Sequence, residues 1–284
     1  MQHLTYFDSI ILGIVEGLTE YLPVSSTGHL TITEKLLGLT VDDKSVTAYT
    51  AIIQVGAIAA TVLYFFKDIV RLLGAWFRGL LRADQRTHHD YQLAWAVIVG
   101  SIPVGIVGFL ARKSITGGLR SLWVVAAALI LWSVVMWVAE RRHTVLESSG
   151  VQRGEGQVTM RDGLVIGLAQ CFSLIPGVSR SGATISAGLV NGLDRVTATR
   201  LSFFLAIPAL TAAGLYELKD VDPSVVGLGQ LAVGTVISFV VAYASIAWLL
   251  RFVAHHPITT FVWYRVALGL VLIVVLGAGW LTAT

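Results

Sequence analysis

Charge-free apolar windows recur along the chain at Val46 to Phe66, Leu93 to Ala111, Leu122 to Ala139 and Val225 to Leu250. Each has the length, about 18 residues or more, that a helix needs to cross a hydrocarbon core. Phe261 to Leu281 makes a fifth window although it contains Arg265, and Val196 to Tyr216 a sixth, with Arg200 near one end and Pro208 inside. Two further apolar stretches are too short to span and are broken in the middle. Ser9 to Leu22 runs into "PVSSTG" and resumes as Leu30 to Leu39; Gly163 to Ile175 runs into "PGVSRSG" and resumes as Ala183 to Leu193. Each pattern predicts a helix, break, helix hairpin that enters and leaves by one side of a bilayer. Irregular backbone at that depth is tolerated only where it is buried in protein or lines a wet cavity. The expected fold is an all-α integral membrane protein with six transmembrane helices and two re-entrant broken hairpins.

Composition agrees: the 284 residues are 55% hydrophobic and only 13% charged, with mean hydropathy +0.77, outside the range of soluble domains. The N-terminal "MQHLTYFDSI" lacks a basic n-region, so no removable signal peptide is expected. The single cysteine, Cys171, excludes an intramolecular disulfide and any multi-cysteine metal site. The formal charge of +3 matters less than its placement. Lys67 to Gln92, Arg141 to Arg161 and "RFVAHHP" at Arg251 are basic, which assigns them to the cytoplasmic side. Alternation then puts "RKSITGGLR", the acidic "ELKDVDPS" at Glu217 to Ser224, both termini and the first 45 residues outside. Arg112, Lys113 and Arg120 in "RKSITGGLR" run against that rule. No nucleic-acid module is present.

The two broken hairpins resemble each other. "GIVEGLTEYLPVSSTG" lies over "GLAQCFSLIPGVSRSG", matching Gly13 with Gly167, Val24 with Val178, Ser25 with Ser179 and Gly28 with Gly182. Glu16 then faces Gln170, and Ser26 faces Arg180. A "VTA" opens the span after each hairpin, at Val46 and Val196. The chain therefore reads as one membrane domain of two similar halves, residues 1–140 and 162–284. Three spans follow each hairpin, and an odd number inverts the second half; such inverted repeats bring broken helices together near the midplane and form a site there.

Glu16 and Glu20, four apart, stand on one helix face with Cβ atoms about 5–6 Å apart. In a low-dielectric site they must share a proton, pair with a cation or bind a metal, and magnesium or calcium suits carboxylate oxygens. A solvated first turn at the surface would also explain two glutamates, but a helix of about four turns carries its end well into the bilayer. After Pro23, "SSTG" offers the hydroxyls of Ser25, Ser26 and Thr27, successive N–H groups, and Gly28 as the residue able to take positive φ, a turn suited to an anion. An ordinary N-cap would look the same. His29 beside it, and Arg180 between Ser179 and Ser181 in the second loop, shift the balance, because an arginine in an apolar hairpin needs an anionic partner and its fork fits phosphate. Gln54, the most polar side chain of its span, is a candidate for the site lining or for an interhelical hydrogen bond. Ser26 activated by His29, His29 itself, and a metal-activated water all remain open as attacking group, and Glu20 could instead orient His29.

"EGLTEYLPVSSTGH" and "PGVSRSGATI" resemble the two signature motifs of the undecaprenyl-diphosphate phosphatase family, also called the bacitracin-resistance proteins. The resemblance covers effectively the whole chain. It implies hydrolysis of a C55 isoprenoid diphosphate to the monophosphate at the bacterial cytoplasmic membrane, a divalent metal, and a site open to the outer side. In that frame Glu16, Glu20, Ser26, His29 and Arg180 are catalytic, Glu16 and Glu20 hold the metal, and Ser25 to Gly28, Ser179 to Ser181 and Gln54 contact the diphosphate. A homodimer is a further candidate state. The competing class is a lipid-phosphate transporter or flippase, since inverted repeats with broken helices are also a transporter architecture.

Overall fold

The computed structural model describes residues 4–40, 44–116, 121–217 and 227–283, and these are helical nearly throughout. The helices are α1 (Tyr6–Thr19), α2 (Ser26–Leu36), α3 (Lys44–Tyr64), α4 (Phe66–Leu81), α5 (His89–Thr116), α6 (Leu122–Ser148), α7 (Met160–Gln170), α8 (Arg180–Val190), α9 (Arg195–Glu217), α10 (Leu228–Val253) and α11 (Thr259–Gly277). Six of them, α3, α5, α6, α9, α10 and α11, are long and apolar enough to cross a membrane. They coincide with the six expected windows, and the protein is an all-α integral membrane protein.

The ends differ from expectation where polar partners prolong a helix. The third span runs on to Ser148 rather than ending at Ala139, because Glu140, just past the apolar window, is buried and bonded to Arg195 and to the Ile258 N–H. The basic segment after the first span, expected to connect spans, is itself mostly helix α4. The last part of "RKSITGGLR" (117–120) and most of the acidic "ELKDVDPS" (218–224) lie outside the described residues.

The two broken segments share their local construction. Each begins with a capping box: Thr5 accepts from the Asp8 N–H while Asp8 accepts from the Thr5 N–H, and Thr159 and Asp162 do the same. The boxes stand at the same sequence distance ahead of Ser25 and Ser179. α1 packs on α10 and α7 on α5, so each lies against a span from the other half of the sequence. Glycines permit both contacts. A Cβ on Gly13 would come within 2.7 Å of the Gly234 carbonyl oxygen, and one on Gly167 would run into the Gly100 carbonyl. With lipid as apolar as any side chain, such close backbone approach supplies the dispersion contacts that hold membrane helices together.

The main buried cluster gathers Tyr21, Val24, Phe65, Met136, Ile185, Leu189, Phe203, Phe204 and Ile246 around the two breaks. Tyr21 meets Phe203 edge to face at 5.2 Å and donates its hydroxyl to the Ala57 carbonyl at 2.8 Å. The residues on either side of "YLPV" are thereby fixed before any functional group is considered.

Candidate functional site

Both breaks end on a serine with positive φ. Ser25 (φ 79°) and Ser179 (φ 76°) are the two non-glycine residues in that region among the described residues, a conformation costing an L-residue on the order of 1–3 kcal/mol. Each holds itself in place as an N-cap: Ser25 Oγ accepts from the Gly28 N–H at 3.3 Å, and Ser179 Oγ from the Gly182 N–H at 3.1 Å. The expectation for Gly28 is corrected here. The sharp turn falls at Ser25, so Gly28 lies inside the first turn of α2 and its N–H is already taken by the cap.

The loops are sewn to each other. Ser181 Oγ donates to the Leu22 carbonyl at 3.0 Å, and Arg180 Nη2 to the Glu20 carbonyl at 3.3 Å. Arg265 of α11, with no exposed surface, reaches both loops, donating to the Pro23 carbonyl at 3.2 Å and the Gly177 carbonyl at 2.9 Å. Its remaining donors go to Ser133 Oγ at 3.2 Å and the Ala128 carbonyl at 3.4 Å on α6.

Glu20 is the junction of the site. Its Oε2 accepts from Ser26 Oγ at 2.6 Å and from Gln54 Nε2 at 3.4 Å, and its Oε1 accepts from Arg180 Nη2 at 3.2 Å. Arg180 Nη1 donates to the Ser202 carbonyl at 3.2 Å, and its guanidinium lies 5.8 Å from the Tyr21 ring centre. Glu16, one turn earlier, is fully buried, and neither carboxylate oxygen makes a hydrogen bond of ordinary geometry. Its counterpart Gln170 is equally buried, with both amide atoms unpaired. The Gln54 amide is a donor beside Glu16, but a buried carboxylate with so little hydrogen bonding is costly unless a cation completes it. Glu16 beside Glu20 is thus a donor set of the kind that magnesium or calcium takes.

His29 stands apart from that junction. Its Nδ1 donates to the Ser25 carbonyl at 2.7 Å, which leaves Nε2 of the neutral ring to accept from the Tyr264 hydroxyl at 2.7 Å. The two rings stack 5.6 Å apart. His29 makes no hydrogen bond to Ser26 or Glu20, two of the arrangements the sequence leaves open; Ser26, at the very start of α2, turns back to Glu20, while His29 faces α11. Thr27 is exposed, and the hydroxyls of Ser179 and Ser181 bond each other and the first loop.

Of the sequence-derived candidates, the structure brings together Glu20, Ser26, Gln54 and Arg180, with Glu16 adjoining. Arg265 and Tyr264 were missed. Arg265 was visible by the rule applied to Arg180, that a charge in an apolar span needs partners. Tyr264 carried no signal, since an aromatic in a membrane helix is ordinary.

Fold and site together define an integral membrane protein whose polar centre of carboxylate, hydroxyl and guanidinium is buried where two broken helices meet. The chain belongs to the bacitracin resistance protein BacA family, whose model matches residues 9–271. Among curated relatives it is 57% identical over 274 residues to undecaprenyl-diphosphatase 1 of Streptomyces avermitilis, covering 95% of this chain and 96% of that protein. Undecaprenyl-diphosphatase 1 of Streptomyces coelicolor is 54% identical over 282 residues (98% and 99% covered). Undecaprenyl-diphosphatase of Corynebacterium diphtheriae is 48% identical over 284 residues (99% and 97%). The transporter reading finds no support among these relatives.

Proposed function

We propose that the protein is an undecaprenyl-diphosphate phosphatase, hydrolysing the lipid diphosphate to undecaprenyl phosphate and inorganic phosphate and so returning the carrier to peptidoglycan and envelope-polymer synthesis. The observation that carries this reading to the residues is the Ser26, Glu20, Arg180 chain beside the unpaired Glu16. Near full-length identity to named diphosphatases supports the substrate.

Ser26 is the attacking group in this reading, because its hydroxyl already donates to Glu20 at 2.6 Å, whereas the His29 lone pair is taken by Tyr264. Glu20 accepts the hydroxyl proton as Oγ bonds to the terminal phosphorus, and the bond from that phosphorus to the bridging oxygen breaks, releasing the lipid monophosphate. Water then cleaves the phosphoserine and yields inorganic phosphate. Arg180 stabilises charge on the transferring group with whichever prong leaves Glu20. The strained first turn of α2 presents the N–H groups of Ser26 and Thr27 to the same region. A magnesium or calcium ion on Glu16 and Glu20 would neutralise phosphate charge. The basic segments support a cytoplasmic-membrane protein whose site opens to the outer side, with the second half of the chain inverted relative to the first.

The test is phosphate release from a polyprenyl diphosphate by the purified, detergent-solubilised protein, with and without chelator. Release should stop with chelator and return with magnesium or calcium. Ser26→Ala should lower kcat by about a thousandfold or more, and Glu16→Gln should be severely impaired at low added metal while remaining folded. Full activity of the folded Ser26→Ala variant would move the attack to water. No release at any metal concentration would end the phosphatase reading.

A further inference from the structure

Helix α4 is not a span, yet it carries an exposed apolar face. Sixteen residues make it about 24 Å long, and it leaves the end of α3 at a corner fixed by buried Phe65. Around its circumference three arcs follow one another. Leu72, Ala75 and Gly79 are buried, with Ile69 and Trp76 packed beside them; a Cβ on Gly79 would strike the ring of Tyr91 of α5, so the contact is close. The second arc, at helical spacing, is Phe66, Val70, Leu73, Phe77, Leu80 and Leu81, all between 43% and 85% exposed. The third holds Lys67, Arg71, Arg78 and Arg82.

Arg71 is consumed internally by Asp68, Asp90 and Glu155. Lys67, Arg78 and Arg82 have no carboxylate partner among the described residues, and all three are exposed. An apolar arc lying between a docked arc and a basic arc fits one environment: acyl chains on one side of the helix and lipid headgroups on the next. The helix also leads out of one span and back towards another, which holds it at that boundary of the bilayer.

We infer that α4 is an interfacial anchor, with Phe66, Val70, Leu73, Phe77, Leu80 and Leu81 sunk into the acyl chains of one leaflet and Lys67, Arg78 and Arg82 bound to anionic phospholipid headgroups. This surface is separate from the Glu20 site and holds whether or not the phosphatase assignment does. Free cations next to an apolar arc select phosphatidylglycerol-type lipids over zwitterionic ones, by about fivefold per basic residue engaged.

The experiment places a fluorophore at Val70→Cys in a Cys171→Ala background, in bilayers of phosphatidylcholine and phosphatidylglycerol in which one or the other carries brominated chains. Thermal unfolding checks that each variant is folded. The label should be quenched by brominated chains and not by aqueous iodide, while a label at Asp84→Cys shows the reverse. Brominated phosphatidylglycerol should outcompete the choline lipid by about fivefold or more, and K67Q/R78Q/R82Q should bring the ratio close to one. A Val70 label open to iodide overturns the interfacial placement. One silent to both quenchers means that protein covers the arc, a second copy of this chain included, and overturns it equally. Equal quenching by the two lipids, or a ratio unchanged in the triple variant, overturns the anionic-lipid site.

Discussion

Arg180 carries two loads at once. One prong bonds Glu20 through its carboxylate and its carbonyl, and the other spans to the Ser202 carbonyl. Lysine at this position keeps the charge opposite Glu20 but cannot bridge both partners, nor grip two phosphate oxygens with a planar fork. Losing one charge-assisted hydrogen bond of about 1.5–3 kcal/mol should lower kcat/KM by one to two powers of ten for Arg180→Lys. Arg180→Ala should be worse, since it also leaves Glu20 uncompensated. Measuring both on a polyprenyl diphosphate at saturating metal decides it: a lysine variant as active as the parent makes Arg180 a counter-ion only. Glu16, Glu20, Ser26 and Arg180 were legible because buried charge and hydroxyl are conspicuous in an apolar chain. The bond partners were not, because they depend on which way one helix turn faces.

At the scale of the element, the second broken segment is held at its start as well as at its tip. Asp162, second half of the capping box of α7, receives both terminal nitrogens of Arg153 at 2.6 and 2.8 Å, with Asn191 and Thr159 completing its shell. Burial alone would push its carboxyl up, but the hydrogen bonds from Arg153 and Thr159 outweigh that and hold it below the usual aspartate range. A carboxylate with a depressed folded-state pKa contributes stability that is fully present above its unfolded value, about 3.9. That contribution is lost as pH falls through the folded value. Asp162→Asn should therefore lower the unfolding temperature at pH 7 and flatten the loss of stability that the parent shows below about pH 4. An unchanged acid limb in thermal unfolding would show that the Arg153 pair adds nothing. Helix α4 escaped sequence reading for a related reason: five basic residues from Lys67 to Arg86 marked the segment as a connection. Its three-sided pattern emerges only once one side is known to be docked.

For the whole molecule, the charge distribution makes a claim about orientation that labelling can decide. In a Cys171→Ala background, a cysteine at exposed Thr282 should react with a membrane-impermeant maleimide added outside intact cells, and one at exposed Thr87 should not. The opposite pattern would place the open side of the site in the cytoplasm. The expected result would put the basic arc of α4 on the cytoplasmic leaflet, where anionic lipids give their largest attraction.

By itself the sequence determined what local chemistry can decide. Hydropathy set the six spans, and Pro23, Pro176 and the serine clusters set two breaks with a shared spacing. Those signals are local because helix length and interruption depend on a dozen or so neighbouring residues. Only the tertiary structure decided which loop faces which. Arg265, distant in sequence from both breaks, carries the donors that join Pro23 to Gly177. The pairing of Ser26 with Glu20 rather than His29 likewise follows from how α2 is set against α1 and α11. Hydrogen bonds between segments far apart in sequence leave no periodicity to read, and where they join buried polar groups they fix the geometry of the site.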